Sequence, residues 1–215
     1  MKTTELVFIL DKSGSMCGME DDVIGGFNSM IEKQKKEEGK VYVSTVAFSN
    51  YSEVIHDRVC LESVALLTRN DYCVDGCTAL YDAIGDAIKH IRMVHKYVRP
   101  EDKPEQTIFI ITTDGMENAS HRYTKKSVKN MIEEQEKVGW EFVFVGANID
   151  AVEMATGIGI RSNRAVNYSV KDDTDIMFKE MSATIATFRS KGKLDEDWAK
   201  NVQGNLLSGD KKVKK

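Results

Sequence analysis

The segment ELVFILDKSGSM, residues 5–16, joins an apolar run to a short stretch of side-chain oxygens. Leu6–Leu10 is continuously apolar, as is typical of a central parallel strand that is covered on both faces. Asp11, Ser13 and Ser15 then follow at alternate positions. The segment therefore predicts a buried strand that runs directly into a loop carrying one carboxylate and two hydroxyls.

Further apolar runs alternate with segments of helical period along the chain. Strands are predicted at 40–49, 51–59, 107–113, 141–146 and 165–168. Helices are predicted over 23–34, 78–97, 128–135 and 177–188, with a short one starting at residue 150. The alternation predicts an α/β fold with a doubly wound, mostly parallel, six-stranded sheet and helices on both faces. The more polar segment 51–59 is predicted to be its one antiparallel edge strand.

The 215 residues suggest one domain with a short appendage. Residues 1–190 are predicted to form the domain. From 191 onward Lys, Asp and Gly interrupt the apolar pattern, and the chain ends GDKKVKK. This composition predicts a flexible, polar, Lys-rich tail over 191–215.

Charge and composition exclude several classes of partner. The formal net charge is only -4, which gives no field that would favour nucleic acid or an anionic membrane. No stretch approaches the roughly 20 apolar residues of a membrane span, and the first ten residues do not resemble a secretion signal. We therefore expect a cytoplasmic protein whose four cysteines stay as small, partly buried thiols.

Two more strand or helix ends carry oxygen donors. Asp114 directly follows the strand predicted at 107–113, and Thr78 begins the helix in DGCTALYDAI, residues 75–84. Ligands of open α/β sheets bind beyond the carboxyl ends of the strands. With Asp11, Ser13 and Ser15, these residues supply two carboxylates and three hydroxyls, and no nitrogen or sulfur. That set suits a hard cation, Mg²⁺ or Mn²⁺.

The motifs DKSGSM, DGCTALYDAI and TTDG resemble the metal-ion-dependent adhesion site (MIDAS) of the von Willebrand factor type A (vWA) domain family, where they occur in the same order. The resemblance spans Glu5 to Phe188. Because no secretion signal is recognised, the chain resembles intracellular bacterial and phage members of the family more than its extracellular adhesion modules. It implies that Ser13 and Ser15 bind the ion directly. Asp11 and Asp114 would act mostly through bridging waters, while Thr78 would alternate between direct and water-mediated contact.

By the same resemblance the function is the capture of a partner protein, whose Asp or Glu side chain fills the open position on the metal. No catalytic base or nucleophile belongs to the motif, so no enzymatic activity is expected. Asp11→Ala is expected to abolish metal-dependent binding and to leave the fold intact, because the residue is predicted to lie at the surface rim.

The alternative function is a metal-dependent phosphohydrolase resembling the haloacid dehalogenases, in which an Asp also follows a buried strand. Those enzymes carry D-x-D, with the second Asp as the acid/base, whereas Ser13 stands two residues after Asp11 here. A thiolate zinc or redox site that uses Cys17, Cys73 and Cys77 is a further alternative, for which the spacing of Cys73 and Cys77 is decisive. Their spacing is unusual for either chemistry, and no His is close by in sequence.

Overall fold

The computed structural model describes residues 2–147 and 149–213, with the backbone alone at 170–173 and 207–213. Its centre is a six-stranded sheet in the order β3-β2-β1-β4-β5-β6. The strands are β1 Thr4–Asp11, β2 Val41–Phe48, β3 Ser52–Cys60, β4 Gln106–Thr113, β5 Glu141–Ala147 and β6 Ala165–Tyr168. All neighbours pair in parallel except β2 and β3, which are antiparallel. The predicted fold class, including the edge strand, is confirmed.

Helices cover both faces of this sheet. They are α1 Glu20–Gln34, α2 Leu80–Tyr97, α3 Lys125–Glu136, α4 Ala151–Gly157, α5 Val170–Lys191 and α6 Trp198–Val213. Alternate residues of β1 divide between two cores, because successive side chains of a strand point to opposite faces. Leu6, Phe8 and Leu10 pack with α1, α5 and α6. Val7 and Ile9 pack with α2, α3 and α4.

The end of the chain differs from its prediction as a flexible tail. Helix α5 ends where Gly192 adopts a left-handed conformation, φ 75°, and the chain then re-enters the core through α6. Leu194, Trp198, Val202 and Leu206 are all buried there. The tail prediction is therefore wrong for 191–206, because Trp198, Val202 and Leu206, each four residues apart, form one buried face of α6 despite the polar residues between them. The predicted solvated lysines of the last five residues lie outside the described side chains.

Helix α6 also closes one edge of the sheet. The Gln203 side chain donates to the backbone carbonyl of Asn167 at 3.0 Å, and its amide oxygen accepts the backbone N–H of Asn167 at 3.1 Å. This amide pairs with the edge strand β6 in the way that a seventh strand would, which protects an edge that could otherwise pair with another chain.

Across residues 2–147 and 149–213, no helix is both long and apolar enough to cross a membrane.

Candidate metal centre

The loop after β1 is built around the carboxylate of Asp11. Its Oδ1 accepts the backbone N–H of Ser13 at 2.7 Å, and its Oδ2 accepts the hydroxyl of Thr113 on β4. The first bond is an Asx turn, which reverses the chain as soon as the strand ends. Asp11 is only 1% exposed. The prediction that it lies at the surface rim is wrong, because both carboxylate oxygens are tied into the protein.

Ser13, Ser15 and Asp114 meet at one point. The two serine Oγ atoms lie 3.2 Å apart, and Ser15 Oγ donates to Asp114 Oδ1 at 2.6 Å. Ser13 is buried, whereas Ser15 is exposed and Asp114 is half-buried. The loop after β1 and the loop after β4 are thus joined through side chains that face solvent on one side.

Thr78 reaches the same place from the start of α2. A Cβ atom added at Gly115 would lie 2.7 Å from Thr78 Oγ1 and 3.4 Å from Ser15 Oγ, so both hydroxyls approach this backbone. Asn118 fixes the position of Thr78: its Oδ1 accepts the Thr78 N–H at 2.9 Å, and its own N–H donates to the Thr78 carbonyl at 3.0 Å. All five predicted residues are therefore brought to one end of the sheet.

Backbone hydrogen bonds hold the two loops together. Asp75 N–H donates to the Lys12 carbonyl at 2.9 Å, and Gly14 N–H donates to the Gly76 carbonyl at 3.0 Å. A Cβ atom at Gly14 would lie 3.2 Å from that same Gly76 oxygen, so the loops approach as closely as a residue without a side chain allows. The hydroxyls are therefore positioned by main-chain contacts that need no ion.

Burial raises the pKa of both carboxyl groups. For Asp11 the hydrogen bonds from Ser13 and Thr113 partly oppose burial, while the nearby charge of Asp114 adds to it. For Asp114 burial is opposed by the bond from Ser15. The Tyr72 hydroxyl donates a hydrogen bond to the Asp11 backbone carbonyl. Burial is the main cause that raises the pKa of Tyr72, and the negative charge of Asp11 raises it further. Two carboxylates desolvated together favour a neighbouring cation, which would lower both pKa values.

The chemistry of the donors fits a hard divalent cation. Two carboxylates and three hydroxyls converge, and oxygen is the ligand that Mg²⁺ and Mn²⁺ prefer. In the described part of the chain, no three residues of His, Cys, Asp or Glu come together as a metal site. The described residues therefore offer no further ligands of these types for a thiolate zinc site at Cys73 and Cys77. The four cysteines are free but exposed, so their prediction as partly buried is wrong.

Sequence reasoning missed four residues that support the centre: Tyr72, Thr113, Gly115 and Asn118. Each acts through a contact with a distant segment, as in the bond from Thr113 to Asp11. Thr113 and Gly115 have a signal in the sequence, because they directly precede and follow Asp114 in TTDG. Glu117 caps α2 by accepting the Tyr81 N–H at 2.9 Å.

The sequence matches no protein-family model and no curated protein. Solved structures with the same fold include the vWF domain of the type V pili tip protein Mfa5 from Porphyromonas gingivalis, with TM-score 0.63 and 11% sequence identity. The match covers 91% of this chain and 99% of the Mfa5 domain. The pilus adhesin SpaC from Lactobacillus rhamnosus GG has TM-score 0.66 and 11% sequence identity. The match covers 86% of this chain and 30% of the SpaC chain.

A third similar structure is proximal thread matrix protein 1 (PTMP1) from the mussel byssus with a zinc occupied MIDAS motif. It has TM-score 0.61 and 14% identity, with 86% of this chain covered. This chain spans less than half of the PTMP1 chain, 46%. At these identities the likeness shows the fold, which is that of vWA domains.

Proposed function

We propose that this chain is a non-enzymatic protein-binding module that holds Mg²⁺ or Mn²⁺ at a MIDAS and captures an acidic side chain of a partner protein. The metal residues are Asp11, Ser13, Ser15, Thr78 and Asp114. The observation that carries the proposal is the hydrogen-bonded contact of Ser13, Ser15 and Asp114 at the adjoining ends of β1 and β4.

The two serine hydroxyls are the direct ligands in this proposal. They already lie side by side, so an ion would replace the one hydrogen bond between them. Asp11 and Asp114 balance the charge of the ion, mostly through bridging waters. Asp11 suits this role because its oxygens are already bound to Ser13 and Thr113. When bound, the ion supplies an electrophilic position that a carboxylate of the partner can occupy.

The comparisons support a divalent ion in a domain of this fold. One PTMP1 structure has zinc in its MIDAS motif, and Mfa5 and SpaC are pilus proteins. For this chain we propose Mg²⁺ or Mn²⁺ rather than zinc, because all of the donors are oxygens. We also propose a bacterial, cytoplasmic protein, a location that free, exposed cysteines fit because thiols persist in reducing compartments.

The hydrolase alternative is less well supported. An aspartyl nucleophile must reach its substrate, yet the only Asp directly at the end of β1 is 1% exposed, with both oxygens engaged. Ser13 at the position of the acid/base has no proton-transfer capacity near neutral pH.

The first test is isothermal titration of metal-stripped protein with Mg²⁺ and Mn²⁺. Saturable binding is expected, and it is expected to be lost in the Ser13→Ala, Ser15→Ala, Asp114→Ala triple variant. Asp22→Ala is the control, because Asp22 is an exposed acid outside the centre. Binding that survives in the triple variant would exclude this set of ligands.

The second test addresses the partner. Proteins retained by the immobilised wild-type chain in Mg²⁺ are expected to elute with EDTA and to be missing from the triple variant. For a retained protein, changing its contacting Asp or Glu to the amide is expected to abolish binding. A protein that stays bound in EDTA and is also retained by the triple variant would contradict metal-dependent capture.

A further inference from the structure

A cavity lies at the opposite end of the sheet from the candidate metal centre. It occupies about 790 Å³ between the C-terminal halves of α2 and α3. Its wall includes Thr107, at the start of β4, whereas Asp114 follows the end of that strand. Seven residues of extended chain separate the two, or about 23 Å. The cavity therefore forms a site of its own.

Four cations line this cavity: Lys89, Arg92, Lys96 and Lys103. Within the described residues, none of the three lysines has an acidic group within 4 Å, and the Arg92 guanidinium lies 3.4 Å from a Glu134 oxygen at the surface. Such an excess is notable in a chain with a formal net charge of -4. Concave surfaces lined by one sign of charge concentrate ions of the other sign.

Acceptors are scarce in the same wall. Glu105 is the one acidic residue among the described residues that line the cavity. Its Oε2 accepts the backbone N–H of Thr3 at 2.5 Å, so one of its oxygens is already used. Apart from the second Glu105 oxygen, the charged groups in this wall are therefore hydrogen-bond donors.

Two nearly buried side chains in the wall also have unused polar atoms. Trp140 is 9% exposed and His95 is 8% exposed. The ring nitrogen His95 Nε2 lies 3.2 Å from Glu5 Oε2, which leaves Nδ1 for another partner. Among the side chains and backbone groups that the structure describes, none bonds to Trp140 Nε1 or His95 Nδ1. Neither atom is among the buried side-chain atoms without a partner, so both are open to the solvent of the cavity. The indole N–H of Trp140 is a donor only, and an acceptor on a bound molecule can replace water there.

We propose that this cavity binds a small organic polyanion that carries phosphate or carboxylate groups. The three lysines and the Trp140 indole N–H favour a ligand rich in acceptors. None of these lysines has an acidic partner in the part of the chain that the structure describes, although the Lys96 ammonium lies 5.2 Å from the centre of the Tyr97 ring. Met93, Met131 and Val138 add apolar wall against which the body of the ligand can rest. The volume is within the range of about 300 to 1,000 Å³ found for small-molecule sites.

The test uses ATP and citrate as probes, one for phosphate and one for carboxylate. Each is titrated by calorimetry at low salt with EDTA, into the Ser13→Ala, Ser15→Ala, Asp114→Ala variant. This background removes the proposed metal centre, so a failure here is separate from a failure of the proposed function. Saturable binding of at least one probe is expected.

Variants locate that binding. Lys96→Glu with Lys103→Glu is expected to weaken it at least about tenfold, since two cations that attract the ligand are replaced by two anions that repel it. The control pair is Lys33→Glu with Lys36→Glu, two exposed lysines on or next to α1. This pair makes the same change in net charge, so little effect is expected. Trp140→Phe is expected to weaken binding several-fold while the unfolding midpoint reports whether the fold is kept.

Two results would overturn the proposal. One is the absence of saturable binding for both probes in the fully folded protein. The other is an equal loss of affinity in the cavity pair and the control pair, which would mean that overall charge, and not this cavity, attracts the anion.

Discussion

The hydroxyl of Thr113 donates a hydrogen bond to Oδ2 of Asp11, and so joins the last residue of β4 to the last residue of β1. The strands pair in register up to Leu10 and Thr112, which places the two residues side by side. With Oδ1 held by the Ser13 N–H at 2.7 Å, the carboxylate has one orientation. The metal loop is therefore set by the sheet before any ion binds.

Thr113→Val tests this orientation, because it keeps the shape of the side chain and removes the donor. It also removes the bond that this hydroxyl accepts from the Gly115 N–H at 3.1 Å. Losing the bond to Asp11 alone, at about 1 kcal/mol, is expected to weaken Mg²⁺ binding about fivefold in calorimetry, and losing both bonds is expected to weaken it further. Thr112→Val is the control, since its hydroxyl faces away from Asp11 and only approaches the Ile9 carbonyl at 3.5 Å. Equal affinities for the wild type and Thr113→Val would show that Asp11 needs no such support.

Gly115→Ala is expected to abolish Mg²⁺ binding, with little change in the unfolding midpoint. The added Cβ would lie 2.7 Å from Thr78 Oγ1 and 3.4 Å from Ser15 Oγ, so it displaces hydroxyls that the ion needs. Gly25→Ala in α1 has open space around it and is expected to leave Mg²⁺ binding unchanged. If Gly115→Ala binds the ion normally, Thr78 and Ser15 do not act together as proposed.

Asp82 is expected to make stability depend on pH. Burial raises the pKa of this carboxyl, but the backbone N–H groups of residues 121–123 and the charge of Arg122 outweigh burial and hold the pKa below its usual value. The stabilisation is therefore complete above the unfolded pKa of about 3.9 and is lost as the pH falls through the lower folded pKa.

The measurement is urea unfolding of the wild type and Asp82→Asn from pH 7 down to pH 3. The variant is expected to be less stable by about 2 kcal/mol at pH 7, and the difference is expected to shrink at the acid end. Asp22→Asn provides an exposed acid for comparison. A difference that stays constant over the whole range would contradict the role of the charged carboxylate.

Trp198→Ala tests whether α6 belongs to the core. The indole is buried, and its N–H donates to Thr184 Oγ1 on α5 at 2.8 Å. Truncation is expected to lower the free energy of unfolding by about 3 to 5 kcal/mol in chemical denaturation. Lys200→Ala, on an exposed position of the same helix, is expected to change it by less than about 0.5 kcal/mol. A small effect at Trp198 would restore the prediction of a flexible tail.

The sheet was predictable because its strands leave local signals. Leu6–Leu10 is apolar without interruption since helices cover both faces, and 51–59 is more polar since it lies at an edge. The turn of the chain at Gly192 and the apolar positions from Leu194 to Leu206 were also present in the sequence. They were hidden by the charged residues between them, because a helix with one buried stripe keeps its other sides polar.

The sequence by itself determined the α/β fold and the candidate metal residues, because strand periodicity and the chemistry of Asp, Ser and Thr are properties of short segments. Tertiary structure decided what those residues contact. It buried Asp11, paired it with Thr113 from 102 positions away, and placed Thr78 beside Gly115. It also brought Lys103, from the segment before β4, beside the three cations that α2 contributes to the cavity. Contacts of this kind depend on how distant segments pack, and a local pattern carries no record of them.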